Sequence, residues 1–270
     1  MQNKVVLITG GSSGIGKAYA QAFGLAGAKV VITGRKEGPL QEAAAWLEEQ
    51  GIETLAVVAD VAQETDCERM VALAVERFGR LDILINNAGI SMRALFAEAE
   101  LSVIRQLMEI NFFGTVYATK YALPHILASK GSIVGVSSIA GYRGLPARTG
   151  YSASKFAMRG FFEALRTELR YTGVHLLLVS PGFTASNIRQ TALAKDGSAQ
   201  GETPRDEGKM MSAEEVAQHT LKAVQRRRRD LVLTGQGKLT VILNKLFPAL
   251  MDKLVYNAMA KEKDSPLKRQ

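Results

Sequence analysis

The chain has 270 residues, of which 47% are hydrophobic and 22% charged, with a formal net charge of +8. That is enough to bury one sizeable core, and a single α/β domain over 1–270 is expected rather than two small ones. The single cysteine, Cys67, excludes an internal disulfide and falls in a helix-like stretch, where a buried thiol without a role is the simplest reading. Met1-Gln2-Asn3-Lys4 leads straight into an apolar run without the charged-then-apolar pattern of a signal segment, so a cytoplasmic location is expected.

In chain order, short apolar runs bounded by Gly, Asp or Asn recur. They are Val5-Val6-Leu7-Ile8, Val30-Val31-Ile32, Leu55-Ala56-Val57-Val58, Ile83-Leu84-Ile85, Ile133-Val134-Gly135-Val136 and Leu176-Leu177-Leu178-Val179. Continuous apolar character without polar alternation predicts strands buried on both faces. Between them, residues 16–25, 40–50, 65–78 and 101–123 carry apolar residues at helical spacing. Such alternation predicts a doubly wound parallel sheet, Rossmann-like, with helices on both faces. A hydrophilic interval from 192 to 209 lies within a variable loop of about 184–212, readable either as a functional lid or as a disordered excursion.

The excess positive charge lies in the second half, where residues 136–270 carry 22 basic and 12 acidic groups. Its densest part, Arg226-Arg227-Arg228-Arg229, follows a helix-like stretch and precedes the strand-like Leu231-Val232-Leu233. Cations suit the negative end of a helix, and no aromatic residues interleave, so a nucleic-acid partner is not expected. From about 238 to 270, Leu239, Ile242, Leu243, Leu246, Phe247, Leu250, Leu254 and Val255 recur at helical spacing, interrupted by Lys245, Asp252 and Lys253. This is too short and too charged to span a bilayer. It predicts a C-terminal amphipathic helix that covers the domain itself, a partner subunit or a membrane surface.

The first strand ends in Thr9-Gly10-Gly11-Ser12-Ser13-Gly14-Ile15-Gly16 and passes into a helix. Strand, glycine turn and helix in that order form a pyrophosphate cradle: glycines let the backbone approach, and the helix N-terminus offers free N–H groups. The spacing Gly10-x-x-x-Gly14-x-Gly16 differs from the usual Gly-x-Gly-x-x-Gly. It resembles the short-chain dehydrogenase/reductase family, and the resemblance runs from residue 4 to about 190. The resemblance implies nicotinamide dinucleotide binding by Gly10, Ser12, Ser13, Gly14, Ile15 and Gly16. It also implies an adenine contact at Asp60-Val61, and a segment Asn87-Ala88-Gly89 that follows Asn86, steadies the central sheet and borders the cofactor.

After the second strand, a carboxylate suits the ribose hydroxyls of NAD, whereas an arginine suits the 2′-phosphate of NADP. Here Arg35 and Lys36 stand at that point, which favours NADP(H). Glu37 keeps NAD(H) open as the alternative.

Tyr151-Ser152-Ala153-Ser154-Lys155 sets a phenol and an ammonium four residues apart, on one face of a helix. A nearby cation favours the phenolate, which is expected to bring the phenol toward proton exchange near neutrality. Ser138 lies thirteen residues earlier, after a strand-like run, and Asn111 lies in Glu109-Ile110-Asn111-Phe112-Phe113-Gly114. By resemblance, Asn111, Ser138, Tyr151 and Lys155 form a catalytic group. Ser138 would hold a carbonyl oxygen, Tyr151 would donate the proton, and Lys155 would bind the nicotinamide ribose and feed a water-linked proton path through Asn111.

By the same resemblance, Pro181, Gly182, Thr184 and Ser186 close over the nicotinamide, although Ser186 replaces a usual threonine and Thr184 a usual Val or Ile. His125, His175 and His219 are dispersed without ligand spacing, so no metal is expected.

The expected activity is NADP(H)-dependent interconversion of a ketone or aldehyde with an alcohol. A catalytically silent NADP(H)-binding regulator is the alternative. Tyr142, Leu145, Pro146 and Phe183 suggest an apolar pocket lining, while Arg143 and Arg148 suit either an acidic substrate group or solvent. The basic run, the apolar C-terminal stretch and the basic tail resemble a branch that reduces lipid ketones, of the acyl-dihydroxyacetone-phosphate or 3-ketosphinganine type. From this follow expectations of a lipid-like substrate and peripheral membrane contact. A homo-oligomer built on the helices around 101–123 and 155–170 is expected from resemblance.

Overall fold

A computed structural model describes residues 1–185, 188–204, 208 and 210–269. The strands are β1 (Val5–Ile8), β2 (Lys29–Gly34), β3 (Thr54–Val58), β4 (Ile83–Asn86), β5 (Ser132–Val136), β6 (His175–Ser180) and β7 (Asp230–Val232). They form one seven-stranded sheet in the order β3-β2-β1-β4-β5-β6-β7, with every pair parallel. Helices α1 (Gly14–Leu25), α2 (Glu37–Glu48), α3 (Glu64–Phe78), α4 (Leu101–Met108), α5 (Gly114–Ser129), α6 (Thr149–Glu168) and α7 (Ala213–Gln225) supply the crossovers.

The period of two along β1 explains why both faces are covered. Val6 and Ile8 join a core with Tyr19, Phe23, Leu40 and Val216 from the α1, α2 and α7 side. Val5 and Leu7 face Met70, Ala118, Met158 and Phe162 from the α3, α5 and α6 side. Strand order reverses between β1 and β4, so the crevice beyond their C-terminal ends is where this architecture receives ligands.

Two expectations about elements are corrected. The expected single helix over 101–123 is α4, then a five-residue π-helical turn (Glu109–Phe113), then α5. The extra residue per turn rotates Asn111 inward, where it is fully buried.

The expected single C-terminal helix is α8 (Gly235–Leu246) followed by α9 (Pro248–Ala260). Proline lacks the N–H to continue α8 and pushes the preceding Phe247 out of helical geometry (φ −135°, ψ 64°), yet it suits the first position of α9.

The described part of the hydrophilic loop is not a free excursion. Leu193 N donates to Ser91 O at 2.8 Å, Arg93 N donates to Leu193 O at 2.8 Å, and Ala192 and Leu193 are buried.

The arginine run makes the turn between α7 and β7. Arg227 sits at φ +49° with Nη2 donating to Gly173 O, and Arg228 O pairs with His175 Nε2 at 2.8 Å. Cys67 is buried, and burial pushes its thiol up to about 12.

Candidate active site

The glycine turn has the geometry of an anion cradle. Gly10 (φ +66°) and Gly14 (φ +50°) occupy left-handed backbone. A Cβ on Gly16 would lie 2.0 Å from Gly10 O and 2.6 Å from Asn87 Nδ2, so only glycine lets α1 start this close to the turn. At the start of α1, Ser13 makes no side-chain cap bond and the first turn holds no acid, leaving the positive helix end facing outward.

Asn87 braces the turn from β4, with Nδ2 donating to Thr9 O at 2.9 Å and Gly10 O at 3.0 Å. Thr9 Oγ1 accepts from both Asn87 N and Ala88 N at 3.0 Å. These residues fit a dinucleotide pyrophosphate, because a cradle that a single methyl group would fill offers backbone N–H groups and no competing carboxylate.

Around that turn, Ser12 Oγ lies against Gly34 at the end of β2. Arg35, Lys36 and Glu37 follow, all exposed. Among the described residues no ion pair engages Arg35, so its guanidinium is available to an anion beside β2. Asp60 accepts from Ala62 N through Oδ1 at 3.0 Å, and Val61 packs under Gly114.

Across the crevice stand the candidate catalytic residues. Ser138 begins a short 3-10 turn (Ile139–Gly141) after β5, and its Oγ accepts from Ala140 N at 3.1 Å. Tyr151 lies in the first turn of α6 and hydrogen-bonds Ser138 through their side chains. Lys155 is buried, donates to Val136 O at 2.9 Å, and sits 5.8 Å from the centre of the Tyr151 ring.

Asn111 Oδ1 accepts from Ile90 N at 2.8 Å, while Nδ2 donates to Ile90 O and to Ser154 Oγ, each at 2.9 Å. A carbon added to Gly89 would lie 3.1 Å from Asn111 Oδ1 and 3.4 Å from Lys155 Nζ. Asn111 and Lys155 are therefore separated by about the width of one small group.

The expected acidification of the phenol is reversed by burial, which raises Tyr151 above the ordinary tyrosine value. The hydrogen bond to Ser138 and the charges of Arg148 and Arg189 pull the other way but do not win. Burial also acts on the ammonium, drawing Lys155 down to about 8. Both groups are thus shifted toward their neutral forms.

Pro181, Gly182 and Thr184 lie beyond β6, with Ile139 N donating to Pro181 O at 3.1 Å and Thr184 paired to Met211. Ser186 lies outside the described residues.

Arg143 and Arg148, for which an acidic substrate group or solvent was expected, both meet carboxylates of the chain's own C-terminal segment. Arg143 pairs with Asp252 and donates to Asn244 Oδ1 at 3.1 Å. Arg148 donates to Glu262 Oε2 at 2.7 Å, and Arg93 Nε approaches the same oxygen at 3.7 Å. Met251, Val255 and Met259 of α9 then pack over Leu95, Leu145 and Phe183. The apolar lining expected around Leu145 and Phe183 is therefore roofed by the last helices.

Sequence reasoning missed Glu262, a lone acid between two lysines with no periodic signal. It also missed Thr9 and Ser154, which sit inside motifs recognised for other residues.

A wholly parallel sheet reversing at β1 and β4, with a glycine cradle on one side and a Ser-Tyr-Lys group on the other, defines a nicotinamide-type oxidoreductase. Comparison with known proteins agrees. The short chain dehydrogenase family model matches residues 4–197. Dehydrogenase/reductase SDR family member 7B of Mus musculus is 36% identical over 98% of this chain and 84% of that protein. The 11-beta-hydroxysteroid dehydrogenase A of Arachis hypogaea is 36% identical over 92% of this chain and 73% of that protein. A crystal structure of a short chain dehydrogenase/reductase from Burkholderia phymatum in complex with NAD superposes with a TM-score of 0.83. It has 26% identity and covers 92% of this chain and 95% of that one. The chain belongs to the short-chain dehydrogenase/reductase family.

Proposed function

We propose that the protein is an NADP(H)-dependent oxidoreductase that interconverts a ketone or aldehyde with an alcohol, using Tyr151 as acid and base. The observation that carries this reading is the convergence of Ser138, Tyr151 and the buried Lys155 across the crevice from the glycine turn. The bound nicotinamide supplies the hydride chemistry. Gly10, Ser12, Ser13, Gly14, Ile15 and Gly16 hold its pyrophosphate, with Asp60, Val61, Asn87, Ala88 and Gly89 bordering the rest.

Because Ser138 Oγ already accepts from Ala140 N, its proton is directed outward, toward Tyr151 or a carbonyl oxygen. Burial keeps the Tyr151 phenol protonated near neutral pH, the state a proton donor needs in the reductive direction. Lys155, with a value near 8, both gives and takes a proton, and Asn111 close by supports a water-linked path to it. Ser138 and Tyr151 together stabilise negative charge growing on the substrate oxygen.

Preference for NADP(H) over NAD(H) rests on Arg35 and Lys36 just beyond β2. A lipid-like substrate is supported by the Leu95, Leu145 and Phe183 lining under α9. The peanut relative's name, a hydroxysteroid dehydrogenase, supports an apolar substrate too. Exposed Phe113, just before α5, and Phe156 of α6 support a homo-oligomer through these helices.

The test is a panel of ketones assayed with NADPH and NADH. Tyr151→Phe is expected to abolish turnover while retaining NADPH binding, and Arg35→Asp is expected to move the kcat/KM ratio toward NADH. Cofactor binding with no hydride transfer to any ketone would instead establish the silent regulator.

A further inference from the structure

A helix at a protein surface needs one apolar stripe, facing the core. The last two helices carry two. On the inner side, Met251, Val255 and Met259 pack over Leu95, Leu145 and Phe183, with Leu243 of α8 against the same cluster. On the outer side, Leu239, Ile242 and Leu246 of α8 and Phe247, Leu250 and Leu254 around α9 are between 45% and 61% exposed. Each trio has the spacing i, i+3, i+7, which puts its members on one stripe. The neighbours Leu246 and Phe247 carry the stripe from one helix into the next.

This surface is a fixed feature and not a frayed tail. Asn244 Nδ2 donates to Tyr142 O at 3.0 Å, and Asp252 and Glu262 are paired with Arg143 and Arg148.

The charges around the stripe identify what it meets. Residues 235–270 hold seven Lys or Arg and three Asp or Glu. Of those three acids, Glu262 is buried against the body's arginines, and Asp252, although exposed, is paired with Arg143. Lys238 and Lys245 immediately precede Leu239 and Leu246, and Lys253 precedes Leu254, all of them exposed. An apolar stripe edged by lysines matches the depth profile of an anionic bilayer surface: side chains reach the acyl boundary while the ammonium groups stay among the phosphates. Pairing two copies through the same stripe would instead bring lysine rows of like charge together. Among the described residues no helix is long and apolar enough to cross a membrane.

We propose that the α8–α9 hairpin seats this protein on the surface of an anionic phospholipid bilayer. The same hairpin covers Leu95, Leu145 and Phe183, so a substrate site lined by them would stand at the membrane and receive a substrate dissolved in lipid. That last consequence rests on the carbonyl-reductase reading, whereas the seating does not.

The test is co-sedimentation of the full chain with phosphatidylcholine vesicles, with and without phosphatidylglycerol. Binding to the anionic vesicles is expected to exceed binding to neutral ones by about tenfold or more and to weaken with salt. The exposed-residue variant Leu246→Ser/Phe247→Ser/Leu250→Ser is expected to lose that binding with unchanged circular dichroism and melting. Lys238→Gln/Lys245→Gln/Lys253→Gln is expected to lose the preference for anionic lipid. Wild-type protein that stays in the supernatant with both vesicle types would overturn the proposal. So would a dimer, seen by light scattering, that the serine variant converts to monomer without any wild-type vesicle binding; the stripe would then belong to a second copy. Both readouts are independent of turnover, so absence of ketone reduction would count against the enzymatic reading alone.

Discussion

Replacing Glu262 by glutamine keeps the side-chain shape and removes the carboxylate on which Arg93 and Arg148 converge. The side chains of Glu262, Arg93 and Arg148 are 3%, 8% and 11% exposed, so water cannot take the place of the lost charge. Removing one partner of a buried pair in this way costs about 3–5 kcal/mol. The apolar anchorage of the same segment is the burial of Met251, Val255, Met259 and Leu267.

Backbone entropy opposes ordering the segment, and weakening the ion pair leaves those apolar contacts to hold it with little else. The segment is therefore expected to detach before the sheet melts. Amide exchange is the assay: protection over 248–269 should fall roughly 10²–10³-fold, matching the lost energy, while β1 and β4 keep theirs. The melting temperature should move by no more than about 2 °C, because the core is untouched. Unchanged protection in 248–269, or a loss spread evenly over the sheet, would refute this account of the clamp.

Gly16→Ala places a methyl group 2.0 Å from Gly10 O, and isothermal titration should show NADPH affinity falling at least about 100-fold as α1 is pushed off the turn. Asn111→Ala leaves Ile90 N and O without their partner, at about 1–3 kcal/mol each, which a urea titration should register as a loss of about 2–6 kcal/mol. Lys155 has a folded value near 8 against an ordinary 10.5, so the unfolded chain binds more protons between those pH values and stability contributed at this site rises with pH across them. Lys155→Met, which carries no such burden, should be more stable than wild type at pH 7 by up to about 3 kcal/mol, and the gap should close toward pH 10 in paired urea titrations. A gap independent of pH would show that the ammonium is not the cost.

The sheet was legible because parallel strands covered on both faces must be apolar at every position, and runs such as Val5-Val6-Leu7-Ile8 carry that signal within four residues. The glycine turn was legible for a related reason, since Gly10, Gly14 and Gly16 answer local demands of backbone angle and close approach. Tyr151 and Lys155 could be paired because four residues on a helix fix their face. The break after Phe247 was also available locally in Pro248, but the continuing apolar periodicity concealed it.

What required the tertiary structure was every property set by partners distant in the chain. The direction of the Tyr151 shift depends on desolvation beside a cluster of Met92, Val103, Leu107 and Leu193, all distant in the chain, and local spacing alone favoured the opposite sign. Arg143 and Arg148 read as candidates for substrate or solvent until Asp252 and Glu262, more than a hundred residues away, were found against them. The π-turn at Asn111 is likewise decided by what it must reach, Ile90 and Ser154, and not by any propensity of its own residues. Local rules thus determined which residues could do chemistry. Long-range packing decided how acidic they are, what covers them, and which of two apolar faces on the last helices remains outside.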